Sequence, residues 1–288
     1  MKPAAFDYRR PTTRREAIDL LIEAGDEGRI IAGGQSLMAV LNMRLAQPRV
    51  LIDITGIEEL RYIERRGDHL AIGAGTTQAE LFEHTSLSEE VPLLAHALPW
   101  VGHFQTRNRG TVCGSIAHAD PSAELPLCLA TLGGEVVLET RRGKSRRVAG
   151  ADFFQGVLTT ERRPDELIVE ARFPLKRPGC DYRFQEVAMR HGDFAIVALA
   201  AEVDERKVRL GVGGVADRPM VRTLSRGAGL KDELNVFAWS LNAQDDAHAS
   251  AAYRRQLVRE LGMRLIEGDG SSTHNEPQEG RPDARQGR

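Results

Sequence analysis

A short apolar stretch, Arg29-Ile30-Ile31-Ala32, runs into Gly33-Gly34-Gln35-Ser36 and then into Leu37–Ala46, where Leu37, Leu41 and Leu45 recur every four residues. Pro48 closes that predicted helix, and Val50-Leu51-Ile52-Asp53-Ile54 reads as a returning strand. The segment Arg29–Ile54 is therefore a βαβ unit, which predicts two parallel strands and a right-handed crossover. Glycines at a strand-to-helix junction let main-chain N–H groups approach an anion, while the helix N-terminus carries partial positive charge. Taken alone, the turn is equally an ordinary tight connection with Ser36 as an N-cap.

The rest of the chain narrows the choice. With 288 residues it exceeds what one core organises efficiently, so two or three subdomains are expected. Apolar residues make up 41% and charged residues 28%, with a formal net charge of −2, which describes a globular chain rather than a nucleic-acid binder. The basic run Arg141–Arg147 reads as a solvated hairpin tip. Cys113, Cys128 and Cys180 lack the paired short spacings of iron–sulfur or zinc sites, so any metal is expected on another chain. Sparse, odd cysteines and a polar Met1–Arg15 predict a reducing compartment, with the cytoplasm as the default. No run of about 18 apolar residues exists, so no spanning helix is expected.

Along the chain, the pattern predicts a helix over Arg15–Ala24 capped by Thr12 or Thr13, and strands at Leu60–Ile63 and Leu70–Ala74. Helices are expected over Thr77–His84 and Val91–Val101, then a long polar loop, His103–Ala123, and a helix over Leu125–Leu132. Strands follow at Glu135–Thr140, Arg146–Ala149 and Leu167–Phe173, with Trp100, Phe104, Phe153 and Phe154 as packing residues. A third region has strands Tyr182–Met189, Ala195–Val203 and Val208–Val215 as a meander, then helices over Leu230–Leu241 and Asp245–Leu265. The division is 1–55, 56–176 and 177–267, with 268–288 expected to be a disordered tail on composition.

The loop holding Arg107-Asn108-Arg109-Gly110-Thr111-Val112-Cys113-Gly114-Ser115 repeats the phosphate-suited chemistry of the first turn. It leads to His118-Ala119-Asp120-Pro121-Ser122-Ala123-Glu124, where Glu124 opens the next helix and could hydrogen-bond polyol hydroxyls. Diphosphate plus polyol describes FAD. A lone acid at a helix start is otherwise a charge that complements the helix dipole. The nearest match to a dinucleotide fingerprint, Gly211-Val212-Gly213-Gly214, runs into Asp217-Arg218-Pro219 with no helix, and is read as a strand bend. His103, His118 and His191 form no metal-binding pair.

Taken together, Ala32–Ser36, Thr111–Ser115 and Asp120-Pro121-Ser122-Ala123-Glu124-Leu125-Pro126 resemble the FAD-binding medium subunit of molybdenum hydroxylases. That group includes carbon monoxide dehydrogenase medium subunits and the FAD domain of xanthine dehydrogenases. Asp165-Glu166-Leu167-Ile168-Val169 and Ala188–Val197 extend the resemblance over about residues 1–265. It implies an α+β fold: a two-subdomain FAD-binding domain of the vanillyl-alcohol oxidase type, then a C-terminal α+β domain with a small antiparallel sheet. It further implies FAD bound by Ala32, Gly33, Gly34, Gln35, Ser36, Thr111, Val112, Cys113, Gly114 and Ser115. Glu124 would meet the ribityl chain, and Ile168 or Val169 would lie near the flavin ring. The implied partners are a large molybdenum-cofactor subunit and a small subunit with [2Fe-2S] clusters, in a heterotrimer that is often duplicated. Electrons would pass from those clusters through FAD to an external acceptor, and the complex would hydroxylate an N-heterocycle such as a purine, a methylxanthine or a nicotine-like compound. Cys113 departs from the family's paired glycines, which requires negative φ there; it is read as a passive small residue, with a reactive thiol lowered by Arg107 and Arg109, or a flavin-free assembly subunit, as alternatives. A stand-alone FAD oxidase is a third alternative.

Overall fold

The computed structural model describes residues 2–268. Strand β1 (Asp7–Arg9) precedes helix α1 (Arg14–Ala24), strand β2 (Gly28–Ile31), helix α2 (Leu37–Asn42) and strand β3 (Val50–Asp53). The three strands form a parallel sheet in the order β1-β3-β2, with Tyr8 and Arg29 both paired to Leu51. The βαβ unit is present as expected, and β1 is an addition that the polar N-terminal sequence did not reveal. Thr13 caps α1 by accepting from Glu16 N at 3.2 Å, and Ala17, Ile18 and Leu21 are buried. Helix α2 stops four residues short of the predicted Ala46. Arg44 turns left-handed at φ 58 and Leu45 is left 74% exposed, so the leucine spacing continued beyond the helix.

Next come β4 (Ile63–Arg66), β5 (His69–Gly73), α3 (Gln78–Phe82), α4 (Leu87–Glu90), α5 (Pro92–Ala97), α6 (Phe104–Arg109), α7 (Val112–His118) and α8 (Glu124–Leu132). Strands β6 (Glu135–Thr140) and β7 (Lys144–Ala149), helix α9 (Gly150–Phe153), the short pair β8 (Phe154–Gly156) and β9 (Thr159–Thr160), and β10 (Leu167–Pro174) complete this stretch. Its main sheet is antiparallel, ordered β4-β5-β10-β6-β7. The basic run sits at the β6–β7 tip, with Arg142 at φ 68. The predicted polar loop His103–Ala123 is wrong: most of it is α6 and α7. In α7 the apolar positions Val112, Cys113 and Ile116 are buried around Gly114, whose low helix propensity hid the short helix from the sequence. Phe153 and Phe154 pack in the core, but Phe104 is exposed rather than packed.

The C-terminal sheet is antiparallel in the order β11 (Asp181–Ala188), β12 (Ala195–Val203), β13 (Lys207–Gly213) and β14 (Met220–Ser225). Strand β14 was not foreseen, and the last helix begins at Ala251 rather than Asp245. Strand β12 is buried at every residue: Ala198 and Ala200 join the core shared with α8, while Val197, Leu199, Ala201 and Val203 join a second core. That second core is covered by α10 (Leu230–Ser240) and α11 (Ala251–Glu267). The Gly211–Gly214 run is a packing device: a Cβ on Gly211 would lie 1.9 Å from Thr131 Oγ1 of α8. Helix α8 is thus pressed between the sheet β4-β5-β10-β6-β7 and the C-terminal sheet. The expectation for the tail falls outside the described residues beyond Gly268.

Candidate functional site

Ala32–Ser36 form the turn between β2 and α2, and Ala32–Gln35 line a cleft of about 470 Å³ with Met38, Asp53, Thr55 and Arg109. Two different constraints demand the glycines. Gly34 sits at φ 72, a region that side-chain-bearing residues avoid. Gly33 faces the end of α6, where an added Cβ would lie 2.0 Å from Arg109 O and 2.7 Å from Gly110 Cα. Its missing side chain therefore lets the two predicted loops touch. Within the turn, Met38 N donates to Gly34 O at 3.0 Å and Gln35 Nε2 to Gly33 O at 3.2 Å. Among the described residues, the amides of Gly33, Gly34, Gln35 and Ser36 donate to no protein acceptor, which leaves them for a ligand.

The second predicted loop is built differently. Thr111 caps α7, accepting from Gly114 N at 3.0 Å, and is tied to α3 through a bridge with Thr77 and through Val112 N donating to Thr76 O at 3.1 Å. Val112 and Cys113 are buried, whereas Gly114 and Ser115 are half-buried. The Cys113 thiol lies 3.6 Å from Ile72 O of β5, and Cys113 is not among the residues lining the cleft. Its φ is negative, so the condition set by the sequence is met. This fits a passive residue rather than a reactive thiol: burial, reinforced by the charge of Glu170, pushes the thiol far above its ordinary range, and neither Arg107 nor Arg109 offsets this.

Glu124 opens α8 and is 8% exposed; burial above all, with the charge of Asp120, raises its carboxyl to about 7. Ile168 and Val169 are buried in β10 beside a register shift against β6, with Val169 O accepting from Ala74 N at 3.1 Å. The structure thus joins the first turn to the chain just before Thr111, while Glu124, Ile168 and Val169 lie outside the lining of the cleft.

Sequence reasoning missed Tyr8, Asp53 and Arg109 as cleft residues. Asp53 ends β3 beside the glycine turn and accepts from Tyr8 Oη and from Thr55 N at 2.8 Å. Burial works against its charge, yet the hydrogen bonds from Tyr8 and Thr55 hold the carboxyl below the usual range. An acid closing the returning strand of a βαβ unit was a usable signal. Arg109 was noted only for its effect on Cys113, although it brings a cation to the uncommitted amides.

A strand-to-helix glycine turn with free amides, pinned to a cation-bearing partner loop, is the arrangement an anionic dinucleotide needs. Residues 4–176 match the sequence family described as the FAD binding domain in molybdopterin dehydrogenase. The chain belongs to this family. The nicotine 6-hydroxylase medium subunit of Paenarthrobacter nicotinovorans is 36% identical over 287 residues, covering 95% of this chain and 100% of the relative. The caffeine dehydrogenase subunit beta of Pseudomonas sp. (strain CBB1) is 35% identical, covering 76% of each. Among solved structures, carbon monoxide dehydrogenase from Hydrogenophaga pseudoflava superposes with a TM-score of 0.85 at 28% identity, covering 92% of this chain and 97% of that one. Quinoline 2-oxidoreductase from Pseudomonas putida 86 gives 0.83 at 32%, covering 93% and 98%. The family model covers the part of the chain up to residue 176, and the superpositions extend the likeness to the C-terminal sheet, in agreement with the fold expected from the sequence. Among the described residues no group of His, Cys, Asp or Glu could hold a metal, and no helix is long and apolar enough to cross a membrane.

Proposed function

We propose that this chain is the FAD-carrying electron-transfer subunit of a heteromeric molybdenum hydroxylase. The observation that carries the reading is the turn Gly33–Ser36, whose amides donate to no protein acceptor and whose Gly33, Gly34 and Gln35 line a cleft with Arg109, in a chain of this family. Gly34 and the other amides of the turn would hold the diphosphate, and Arg109 would neutralise it. Thr111 caps α7 and anchors it to α3, and the first turn of that helix, Val112, Cys113, Gly114 and Ser115, would approach the cofactor through its backbone. Glu124 would accept from ribityl hydroxyls, and Ile168 and Val169 would supply apolar surface near the ring. When bound, FAD supplies the redox chemistry, and the protein's task is to place and shield it.

Relatives named as medium subunits support partners that carry the molybdenum cofactor and [2Fe-2S] clusters, with electrons leaving to an external acceptor. The relatives named for nicotine, 6-hydroxypseudooxynicotine and caffeine support an N-heterocyclic substrate for the complex. Relatives named for glyceraldehyde and carbon monoxide keep other small substrates open. The cysteine usage fits a cytoplasmic assembly. Purification of the native assembly, with flavin and metal analysis, tests this reading; a correctly folded chain that stays colourless after reconstitution with FAD overturns it in favour of a scaffold subunit. Glu124→Ala is expected to weaken FAD binding by about 1–2 kcal/mol, measured by flavin fluorescence titration. Unchanged affinity would return Glu124 to a dipole-complementing role.

A further inference from the structure

A carboxylate stands in the same cleft as the uncommitted amides of the glycine turn. Asp53 ends β3 and pairs across the parallel sheet with Ile31, the last residue of β2. The turn starts at the next residue, Ala32, so the end of β3 lies about 4.8 Å, one strand spacing, from the start of the turn. Asp53 and the turn line one cleft, together with Tyr8, Thr55 and Arg109.

Asp53 is 8% exposed, and its neighbours fix its orientation. Tyr8 Oη donates to Oδ2, and Thr55 N donates to Oδ1 at 2.8 Å. A carboxylate offers about four acceptor positions, so roughly two remain for a ligand. Burial opposes the charge, but the hydrogen bonds from Tyr8 and Thr55, with the charge of Arg10, hold the group ionised. An ionised carboxylate only accepts. It therefore takes hydroxyl or amino donors and repels phosphate. Arg10, whose Nε is 4.0 Å from Oδ2, is mostly exposed and lies outside the lining of the cleft.

The cleft thus sets an anion site, made of the turn's amides and Arg109, beside a site for donors. A ribose carrying a 5′-diphosphate has the same order, with phosphate at one edge of the sugar and vicinal hydroxyls at the other. An acid after the second strand of a dinucleotide-binding βαβ unit takes a ribose hydroxyl on this principle. A ribityl chain is also a polyol beside a diphosphate, but Glu124, Ile168 and Val169, assigned to the flavin half, lie outside this lining. The adenosine half is left for Asp53.

We propose that Asp53 selects the nucleoside of the cofactor: its carboxylate accepts from the ribose hydroxyls of the adenosine half of FAD and excludes a sugar bearing a 2′-phosphate, while Tyr8 positions it. The inference rests on the assignment of the glycine turn to the diphosphate of FAD.

The test is titration of the full chain, stripped of flavin, with FAD, ADP and ADP carrying a 2′-phosphate, for the wild type, Asp53→Asn and Tyr8→Phe. In the wild type ADP should compete with FAD and bind at least about tenfold more tightly than its 2′-phosphate. Asp53→Asn keeps the shape and loses the charge, so it should weaken FAD and ADP alike by about tenfold and cut the preference over the 2′-phosphate to within about threefold. Tyr8→Phe should weaken ADP by about threefold and keep the preference. A purely structural role would not move the ratio of the two ADP affinities. Equal affinity of the wild type for ADP and its 2′-phosphate, or tighter binding of the latter, overturns the proposal even where a variant does not fold. An Asp53→Asn chain that loses affinity for FAD and none for ADP puts the ribityl chain at Asp53, and also overturns it. So does ADP that binds the FAD-loaded chain, since the nucleotide is then a free one at another site. A chain that binds FAD and keeps the wild-type ratio in Asp53→Asn overturns the role of Asp53 alone. A wild type that binds no FAD overturns the cofactor assignment, and this role with it.

Discussion

The Ala32–Ser36 turn and the Thr111–Ser115 segment look alike as strings of small and hydroxyl residues, but the fold uses them oppositely. The first lies open on a cleft with its amides uncommitted, and its glycines answer to a left-handed φ at Gly34 and to contact with Arg109 at Gly33. The second is tied into the protein by its side chains: the Thr111 hydroxyl caps a helix, Val112 N donates to Thr76 O and the Cys113 thiol lies against Ile72 O, while the amides of Thr111 and Cys113 donate to no protein acceptor among the described residues. A glycine motif is thus a ligand surface only where its backbone donors are left over. The second segment, with its side chains and most of its amides spent on the fold, is chiefly a strut.

Gly33 is where the two segments meet, so it is the position at which this contrast breaks most sharply. Gly33→Ala would place a methyl 2.0 Å from a backbone carbonyl that cannot swing away as a side-chain tip could. Separation of the turn from the end of α6 is expected, with a loss of about 3–5 kcal/mol in denaturant unfolding and of flavin retention. A variant with full FAD content would show that the two loops need not touch. Gly34→Val, at φ 72, should cost less in stability, about 1–2 kcal/mol, and also release flavin.

Glu186 of β11, buried with no hydrogen-bond partner for either carboxyl oxygen among the described residues, gives a pH-dependent test away from both loops. Glu186 has a folded value of about 9 against an ordinary 4.5, so the folded state binds the extra proton throughout that interval. Stability of the apo chain is therefore highest below about pH 4.5 as far as this group is concerned, falls as pH rises through the interval, and levels off above about 9. Glu186→Gln should remove that slope and raise stability at pH 7 by roughly 2–3 kcal/mol, read from urea unfolding at several pH values. An unchanged slope would mean that the carboxyl finds a donor in solution.

Much of this was legible in advance. The four-residue leucine spacing and the glycine turn gave the βαβ unit, and the alternation in 182–215 gave three strands of the last sheet. The misses have physical causes. Helix α7 is seven residues long with a glycine inside it, too short for periodicity to register, so its segment read as loop. Strand β1 is three exposed residues, held by pairing with β3 rather than by its own apolar content. Asp53 and Arg109 join the cleft through tertiary contact between segments 56 positions apart in the chain, which no local pattern encodes.

Arg109 sharpens the open side. It is exposed, it enters no ion pair among the described residues, and it lines the cleft beside the free amides. Arg109→Ala is expected to leave unfolding within about 0.5 kcal/mol while weakening FAD by about 1.5–3 kcal/mol, the range for a charge-assisted bond. Arg109→Lys should restore part of this, because a point charge replaces a planar fork. Equal losses in stability and affinity would make Arg109 a structural residue.

Cys113 supplies the smallest and most discriminating contrast, since stability and cofactor retention should separate there. The thiol is buried against Ile72 O, Cys113 is not part of the cleft lining, and burial keeps the thiol protonated. Cys113→Ser replaces a weakly polar group by a hydroxyl that must find an acceptor in the same space, and should cost about 1–2 kcal/mol in unfolding. FAD content per folded chain should not change. Alkylation of the native chain should label the partly exposed Cys180 and spare Cys113 and Cys128, as mass spectrometry of digested protein would show. Labelling of Cys113 in the folded chain, or loss of flavin without loss of stability in Cys113→Ser, would turn this segment from strut to ligand surface and erase the distinction between the two loops.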